Sequence, residues 1–167
     1  MNKSFSESLQ NNIPLNILLA DDDKDDRYFF DRVLKEISIP TRLEVVNDGE
    51  DLMTYLIANS KKLPDVLFLD LNMPKKNGSE CLSEIRNNEK LKHLPVIIYS
   101  THMDEKNAEV LYGKGAYYYI RKTNMKELAG ILLIILSLMI EHEFVQPVKD
   151  KFVFFDQSFR ESKVKTN

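Results

Sequence analysis

The sequence predicts a doubly wound α/β fold in which five parallel strands alternate with five helices. The runs at 16–20, 66–69 and 96–99, which are apolar apart from Asn16, are followed by acids or hydroxyls, and such runs are typical of strands buried on both faces. Segments with helical periodicity separate these runs, and the connections are short. Strict alternation of this kind predicts a parallel sheet with right-handed crossovers and helices on both faces.

The predicted strands differ in their patterns. Residues 16–20 and 66–69 are followed directly by acids, whereas residues 96–99 are followed by the hydroxyl residues Ser100 and Thr101. Residues 42–46 alternate polar and apolar side chains, as an edge strand does, and residues 116–120 form the last strand. This arrangement is the flavodoxin-like fold, in which the carboxyl ends of the strands meet at one crevice.

The helices are predicted from apolar residues that recur every three or four positions among charged neighbours. They are expected around residues 29–37, 52–57, 79–88, 104–113 and 124–144. Asp104 is a candidate cap for the fourth helix, and Asn124 with Glu127 is a candidate capping box for the fifth.

The chain is long enough for one domain. Its 167 residues, 43% of them hydrophobic, can bury one full core but are few for two. We expect a flexible N-terminus over residues 1–12, the folded domain over residues 13–145, and a C-terminal extension over residues 146–167. That extension is too short and too polar at its end to form a separate output domain.

Composition argues against several classes of protein. The net charge is −3 and the basic runs are short, so nucleic-acid binding is not expected. The single cysteine, Cys81, excludes an intrachain disulfide and a multi-cysteine zinc site. The first dozen residues show no secretion signal, and the most apolar run, 128–140, is too short to span a membrane, which takes about 20 residues. The sequence therefore predicts a cytoplasmic protein without a membrane segment.

The run at residues 128–140 is apolar on nearly all sides. A helix that covers one face of a sheet needs only one apolar stripe, so we expect a homodimer through this last helix. The alternative is that the tail folds back over it, since the tail carries Phe152, Val153, Phe154, Phe155 and Phe159.

Polar residues collect at the predicted carboxyl ends of four strands. They are Asp21, Asp22 and Asp23 after the first strand, Asp70 after the third, Ser100 and Thr101 at the fourth, and Lys122 after the fifth. Clustered carboxylates favour a hard divalent cation, so Mg²⁺ is implied. A carboxylate beside that cation, with a hydroxyl and a lysine opposite, is suited to forming an acyl phosphate. Asp70 is the candidate nucleophile.

Each of these residues has a plainer interpretation. Asp25 and Asp26 are expected to be solvated acids at a helix start, where negative charge is favourable. Taken singly, Lys122 is typical of a surface lysine and Ser100 of a strand-end hydroxyl. Their joint placement on different strands is the argument for a site.

Four segments carry a resemblance to a known family: residues 19–23, 69–78, 95–100 and 115–122. They are similar to the receiver domain of two-component response regulators, over about residues 14–144. The sequence of residues 69–78 is Leu-Asp-Leu-Asn-Met-Pro-Lys-Lys-Asn-Gly. It most resembles the same segment of single-domain regulators that accompany bacterial phytochrome kinases. The resemblance implies a phosphorelay protein that is not an enzyme, with a sensor histidine kinase, here a bacteriophytochrome, as its partner.

The resemblance also implies roles for individual residues. Asp70 would accept the phosphoryl group. Mg²⁺ would be held by Asp22, Asp70 and the backbone carbonyl of Asn72, with Asp21 helping through water. Ser100 and Thr101 would form the phosphate-binding and switch segment, Lys122 would pair with the phosphate, and Tyr119 matches the aromatic side chain that changes rotamer. Output would pass through the fourth helix, fifth strand and fifth helix.

Two departures from the family pattern keep alternatives open. Thr123 stands where the family usually has proline after the lysine, and Thr101 is bulkier than the usual small residue. A pseudo-receiver scaffold that is not phosphorylated is one alternative. A haloacid-dehalogenase-type Mg²⁺ phosphatase is another, but Asp25 occupies the position of its motif threonine.

Overall fold

A parallel sheet of six strands forms the centre of the computed structural model, which describes residues 13–102 and 104–154. The strands are β1 (Leu15–Ala20), β2 (Thr41–Val46), β3 (Val66–Leu69), β4 (Val96–Ser100), β5 (Tyr118–Arg121) and β6 (Val153–Phe154). Their order across the sheet is β2-β1-β3-β4-β5-β6. Because β1 pairs with both β2 and β3, the order reverses there, and in such sheets ligands collect beside that reversal.

Five α-helices connect the strands, as the sequence predicted. They are α1 (Lys24–Glu36), α2 (Gly49–Ala58), α3 (Gly78–Asn87), α4 (Glu105–Gly113) and α5 (Met125–Ile140), and a short 3₁₀ helix follows at Lys149–Lys151. The predicted capping box at α5 is half formed. Asn124 accepts the backbone N–H of Glu127, but the Glu127 carboxylate bonds the hydroxyl of Thr123 instead.

The helices cover both faces of the sheet. The core on one face joins α1 and α5, where Phe30 packs edge-on against Phe68 and Tyr99 at ring distances of 5.0 and 5.3 Å. The core on the other face joins α2, α3 and α4, and includes Leu52, Leu82 and Leu111. Because helices cover both faces of the sheet, the central strands are buried on each side and consist of consecutive apolar residues.

The prediction of a five-stranded sheet is wrong by one strand. Val153–Phe154 pairs in parallel with β5, with Val153 opposite Tyr119 and Phe154 opposite Ile120. Pairing there supplies partners to the backbone groups that β5 would otherwise expose as an edge strand. Two residues are too few for alternation to reveal a strand, so tertiary contact rather than local pattern creates β6.

Helix α5 packs on α1 as well as on the sheet. Its buried residues form one stripe, and further apolar residues are partly buried against the same core: Ala129, Ile134, Met139 and Ile140. Phe29 and Ile37 of α1 contribute to the same apolar core. Part of the tail pairs with β5, and Phe154 joins this core. Phe155 and Phe159 lie outside the described residues, as does the predicted flexible N-terminus at 1–12. Among the helices that the structure describes, none is long and apolar enough to cross a membrane.

Candidate functional site

Two aspartates follow the neighbouring strands β1 and β3 directly and lie at the reversal of strand order. Asp21 is 0% exposed and Asp70 is 5% exposed, while Asp22 faces solvent. Each of these three side chains offers a carboxylate oxygen, and the three oxygens lie within 4.8 Å of one another. The fold therefore brings together the acids that the sequence placed at strand ends.

This cluster fits a hard divalent cation. Its donors are all oxygens, which Mg²⁺ prefers, and three negative charges this close repel one another unless a cation joins them. The buried Ser100 Oγ makes no well-aligned hydrogen bond within the described residues. A buried polar atom without a partner is costly, and this cost favours a polar ligand beside the cluster.

Lys122 projects its ammonium group among three carboxylates. The Nζ atom lies 2.7 Å from Asp26, 2.8 Å from Asp21 and 3.7 Å from Asp70. Burial alone would lower the pKa of Lys122, but the bonds to Asp21 and Asp26 outweigh burial and raise it. The ammonium therefore stays charged.

The candidate nucleophile has a raised pKa. The pKa of Asp70 is raised to about 6, chiefly by burial and in part by the nearby charge of Asp21, against the opposing effect of Lys122. Burial also raises the pKa of Asp21, against the opposing effect of Lys122. Two adjacent buried acids thus resist ionising together, and added positive charge would favour the ionised form of both.

The loop from β3 to α3 is held closely against the site. A Cβ atom on Gly78 would lie 2.2 Å from the backbone oxygen of Asp70, so only glycine fits there. Lys75 adopts a positive φ of 65° and its Nζ lies 2.6 Å from the Asp48 carboxylate. These contacts fix the loop that carries Asn72, an exposed residue whose backbone carbonyl remains a predicted ligand.

The predicted switch residues surround the end of β4. The backbone N–H of Lys122 donates to the Ser100 carbonyl at 2.9 Å, so Ser100 and Lys122 are neighbours. Thr101 is exposed, whereas Tyr119 is fully buried. The Tyr119 hydroxyl donates to the backbone carbonyl of His102, which ties the buried ring to the loop after Ser100.

Asp26 belongs to the cluster although the sequence suggested a solvated acid. It lies in the first turn of α1, three residues after the N-cap Asp23. Side chains on a helix tilt toward its N-terminus, so an acid at this position points back at the end of β1. That spacing from the cap is the signal that could have identified it.

The chain matches one protein-family model over residues 17–132, and that model describes the response regulator receiver domain. The match spans more than half of the chain and includes every residue that forms the acidic cluster and its lysine. It agrees with the family that the sequence motifs resemble.

Similarity to individual known proteins supports the same family. The response regulator Rcp1 of Synechocystis is 35% identical over 138 residues, which cover 79% of this chain and 93% of that protein. The crystal structure of Mn²⁺-bound Rcp1 superposes with a TM-score of 0.68 at 32% identity, over 80% of this chain and 100% of that chain. The crystal structure of the phosphorylated cyanobacterial phytochrome response regulator RcpA superposes with a TM-score of 0.70 at 31% identity, over 81% and 100% of the two chains.

Proposed function

This chain belongs to the response regulator receiver domain family, and from that premise we propose that Asp70 accepts a phosphoryl group from the phosphohistidine of a sensor kinase. It is thus a response regulator of a two-component system. The observation that carries the assignment to Asp70 is the convergence of three acids and Lys122 at adjacent strand ends.

In the proposed transfer, a carboxylate oxygen of Asp70 forms a bond to phosphorus while the N–P bond of the phosphohistidine breaks. The electron pair returns to the imidazole, which takes up a proton. Lys122, 3.7 Å from Asp70, is placed to offset the negative charge of the phosphoryl oxygens. Ser100 and Thr101 are proposed to donate to the remaining oxygens.

We assign the cation of this site as Mg²⁺, held by Asp22, Asp70 and the carbonyl of Asn72, with Asp21 acting through water. When bound, Mg²⁺ would neutralise charge on the carboxylates and the incoming phosphoryl group. Oxygen donors within 4.8 Å of one another support this assignment, and so does the Mn²⁺ in the structure of Rcp1.

Phosphorylation is proposed to change protein contacts. A phosphoryl group would draw in the loop after Ser100 and break the bond from Tyr119 to His102, because it adds strong acceptor oxygens and negative charge. The affected surface comprises α4, β5 and α5. We propose homodimerisation through α5, supported by Leu133, which is 45% exposed.

The similarity to RcpA, a phytochrome response regulator, supports a bacteriophytochrome as the kinase, and the proposal places both proteins in the cytoplasm. Residues 13–145 would form the receiver, with output by protein contact and without nucleic-acid binding. Residues 146–167 would form an extension, whose first part packs on α4 and β5.

The proposal is tested by intact mass after incubation with acetyl phosphate and Mg²⁺, for the wild type and for Asp70→Asn. We expect a gain of one phosphoryl group in the wild type only, abolished by EDTA. Size-exclusion chromatography of the same samples tests the dimer. A failure of labelling both with acetyl phosphate and with a phosphorylated bacteriophytochrome would indicate a pseudo-receiver, and steady release of phosphate from a phosphomonoester would indicate a phosphatase.

A further inference from the structure

We propose that Asp26 is a positioning residue that holds the Lys122 ammonium within reach of Asp70 without letting it pair fully with that carboxylate. The inference rests on the proposed role of Asp70 as phosphoacceptor. It concerns an acid of α1 that follows no strand directly and that the proposed reaction does not itself use.

The Lys122 ammonium lies at unequal distances from the three carboxylates around it. An ammonium group has three N–H donors. It forms an ion pair with Asp21 at 2.8 Å and donates a hydrogen bond to Asp26, where the distance of 2.7 Å matches a charge-assisted bond. The distance of 3.7 Å to Asp70 does not. The ammonium is therefore engaged by two acids that are not phosphorylated, and Asp70 is the most distant of the three carboxylates.

Asp26 is anchored well enough to act as a fixed partner. Its backbone N–H donates to the N-cap carboxylate of Asp23 at 3.1 Å. The next residue, Arg27, donates from its guanidinium to the backbone oxygen of Asp21 at 2.8 Å. The first turn of α1 is thereby tied to the end of β1, and the Asp26 carboxylate is held beside the crevice.

Lys122 needs such an anchor because its own side chain is flexible. A lysine side chain is a flexible four-carbon stem. From β4, the Ser100 carbonyl accepts the backbone N–H of Lys122, and the centroid of the Tyr99 ring lies 5.4 Å from Nζ; neither is a carboxylate partner for the ammonium. Without Asp26, the ammonium would keep its contact with Asp21 and move closer to Asp70. There it would neutralise the nucleophile and compete with a cation for the same oxygens.

The inference predicts a specific effect of Asp26→Asn. The affinity for Mg²⁺, measured by isothermal titration calorimetry without any phosphodonor, should fall roughly three- to tenfold. The rate of phosphorylation by acetyl phosphate at saturating Mg²⁺ should fall by a similar factor, and Asp26→Glu should restore part of both.

Asp25→Asn is the matched control. It removes the same charge from the same turn of α1, so it loses the same favourable interaction with the helix N-terminus. Unlike Asp26, Asp25 makes no ion pair with Lys122 among the described contacts. We expect wild-type Mg²⁺ affinity and phosphorylation rate in this variant. Thermal unfolding of both variants should give similar midpoints.

These experiments distinguish a failure of the positioning role of Asp26 from a failure of the proposed phosphorylation of Asp70. Equal effects in Asp26→Asn and Asp25→Asn, or no effect in either, would overturn the positioning role, since they would indicate bulk electrostatics or no contribution. If the wild type binds Mg²⁺ but takes no phosphoryl group from any donor, the proposed function fails, while the calorimetry still decides whether Asp26 controls access of Lys122 to the acids.

Discussion

The backbone N–H of Tyr119 donates a hydrogen bond to the carbonyl oxygen of Phe152, with 2.9 Å between nitrogen and oxygen. Their rings also meet edge to face, with centroids 6.3 Å apart. The candidate switch tyrosine is thus in direct contact with a residue of the C-terminal extension. This part of the extension is a component of the folded domain rather than an appendage.

Replacing Phe152 by alanine tests this conclusion. Phe152 is 2% exposed and packs on Tyr112 as well as Tyr119, so Phe152→Ala should leave a cavity and lower the free energy of unfolding by about 3 kcal/mol. Urea denaturation followed by circular dichroism measures the change. Val148→Ala, at a position that is 65% exposed, is the control and should remain within about 0.5 kcal/mol of the wild type. Equal stability of both variants would show that the segment around Phe152 is not part of the cooperatively folded domain.

A pair of glycine substitutions tests the packing of the loop beside the nucleophile. In Gly78→Ala the new Cβ atom would lie 2.2 Å from the Asp70 carbonyl oxygen, so the backbone must shift, at a cost of about 2 kcal/mol or more. In Gly130→Ala, on the open side of α5, a Cβ meets nothing within 4 Å, and removing glycine from a helix interior should stabilise by roughly 0.5–1 kcal/mol. Opposite signs in the unfolding free energies are the expected result. A neutral Gly78→Ala would contradict the close approach.

The raised pKa of Asp70 predicts a pH-dependent stability difference between the wild type and Asp70→Asn in metal-free buffer. The folded-state pKa of about 6 lies above the ordinary aspartate value of 3.8, chiefly because of burial, so ionising Asp70 costs folding free energy. The wild type therefore loses stability relative to Asp70→Asn as pH rises from about 4 to 6, up to roughly 1–3 kcal/mol. Below about pH 3 the Asp70 carboxyl is protonated in both the folded and the unfolded state, and the difference should no longer change with pH.

Urea unfolding of both proteins between pH 4 and 7.5, with EDTA present, measures this difference. Adding Mg²⁺ at pH 7.5 should then stabilise the wild type more than Asp70→Asn, since a ligand bound only to the folded state stabilises it. A wild type that becomes more stable than Asp70→Asn as pH rises without metal would show that Asp70 is better paired than the contacts indicate.

Local patterns in the sequence were enough for most of the fold. Strands β1, β3 and β4 could be recognised in the sequence as apolar runs, because strands buried on both faces need no polar side chains. The caps at Asp104 and Asn124 were predicted because their side chains act within a few residues. The sixth strand was missed, since Val153–Phe154 pairs only because β5 offers an edge.

The acids and the lysine of the site could be listed from their positions at strand ends, because parallel strands deliver their carboxyl ends to one edge whatever the details of packing. The role of Asp26 could not be predicted in this way. It depends on how α1 sits over the end of β1, which a contact between Arg27 and the Asp21 carbonyl determines.

The fold class, the family motifs and the set of charged residues at the strand ends could all be predicted from the amino-acid sequence, since they follow from periodicity and from residue type along the chain. Three features became visible only in the folded chain: which carboxylates the Lys122 ammonium contacts, how the tail completes the sheet beside Tyr119, and how far α1 covers α5. These features depend on distances between segments far apart in the chain, and a difference of one ångström separates a hydrogen bond to Asp26 from a longer contact with Asp70.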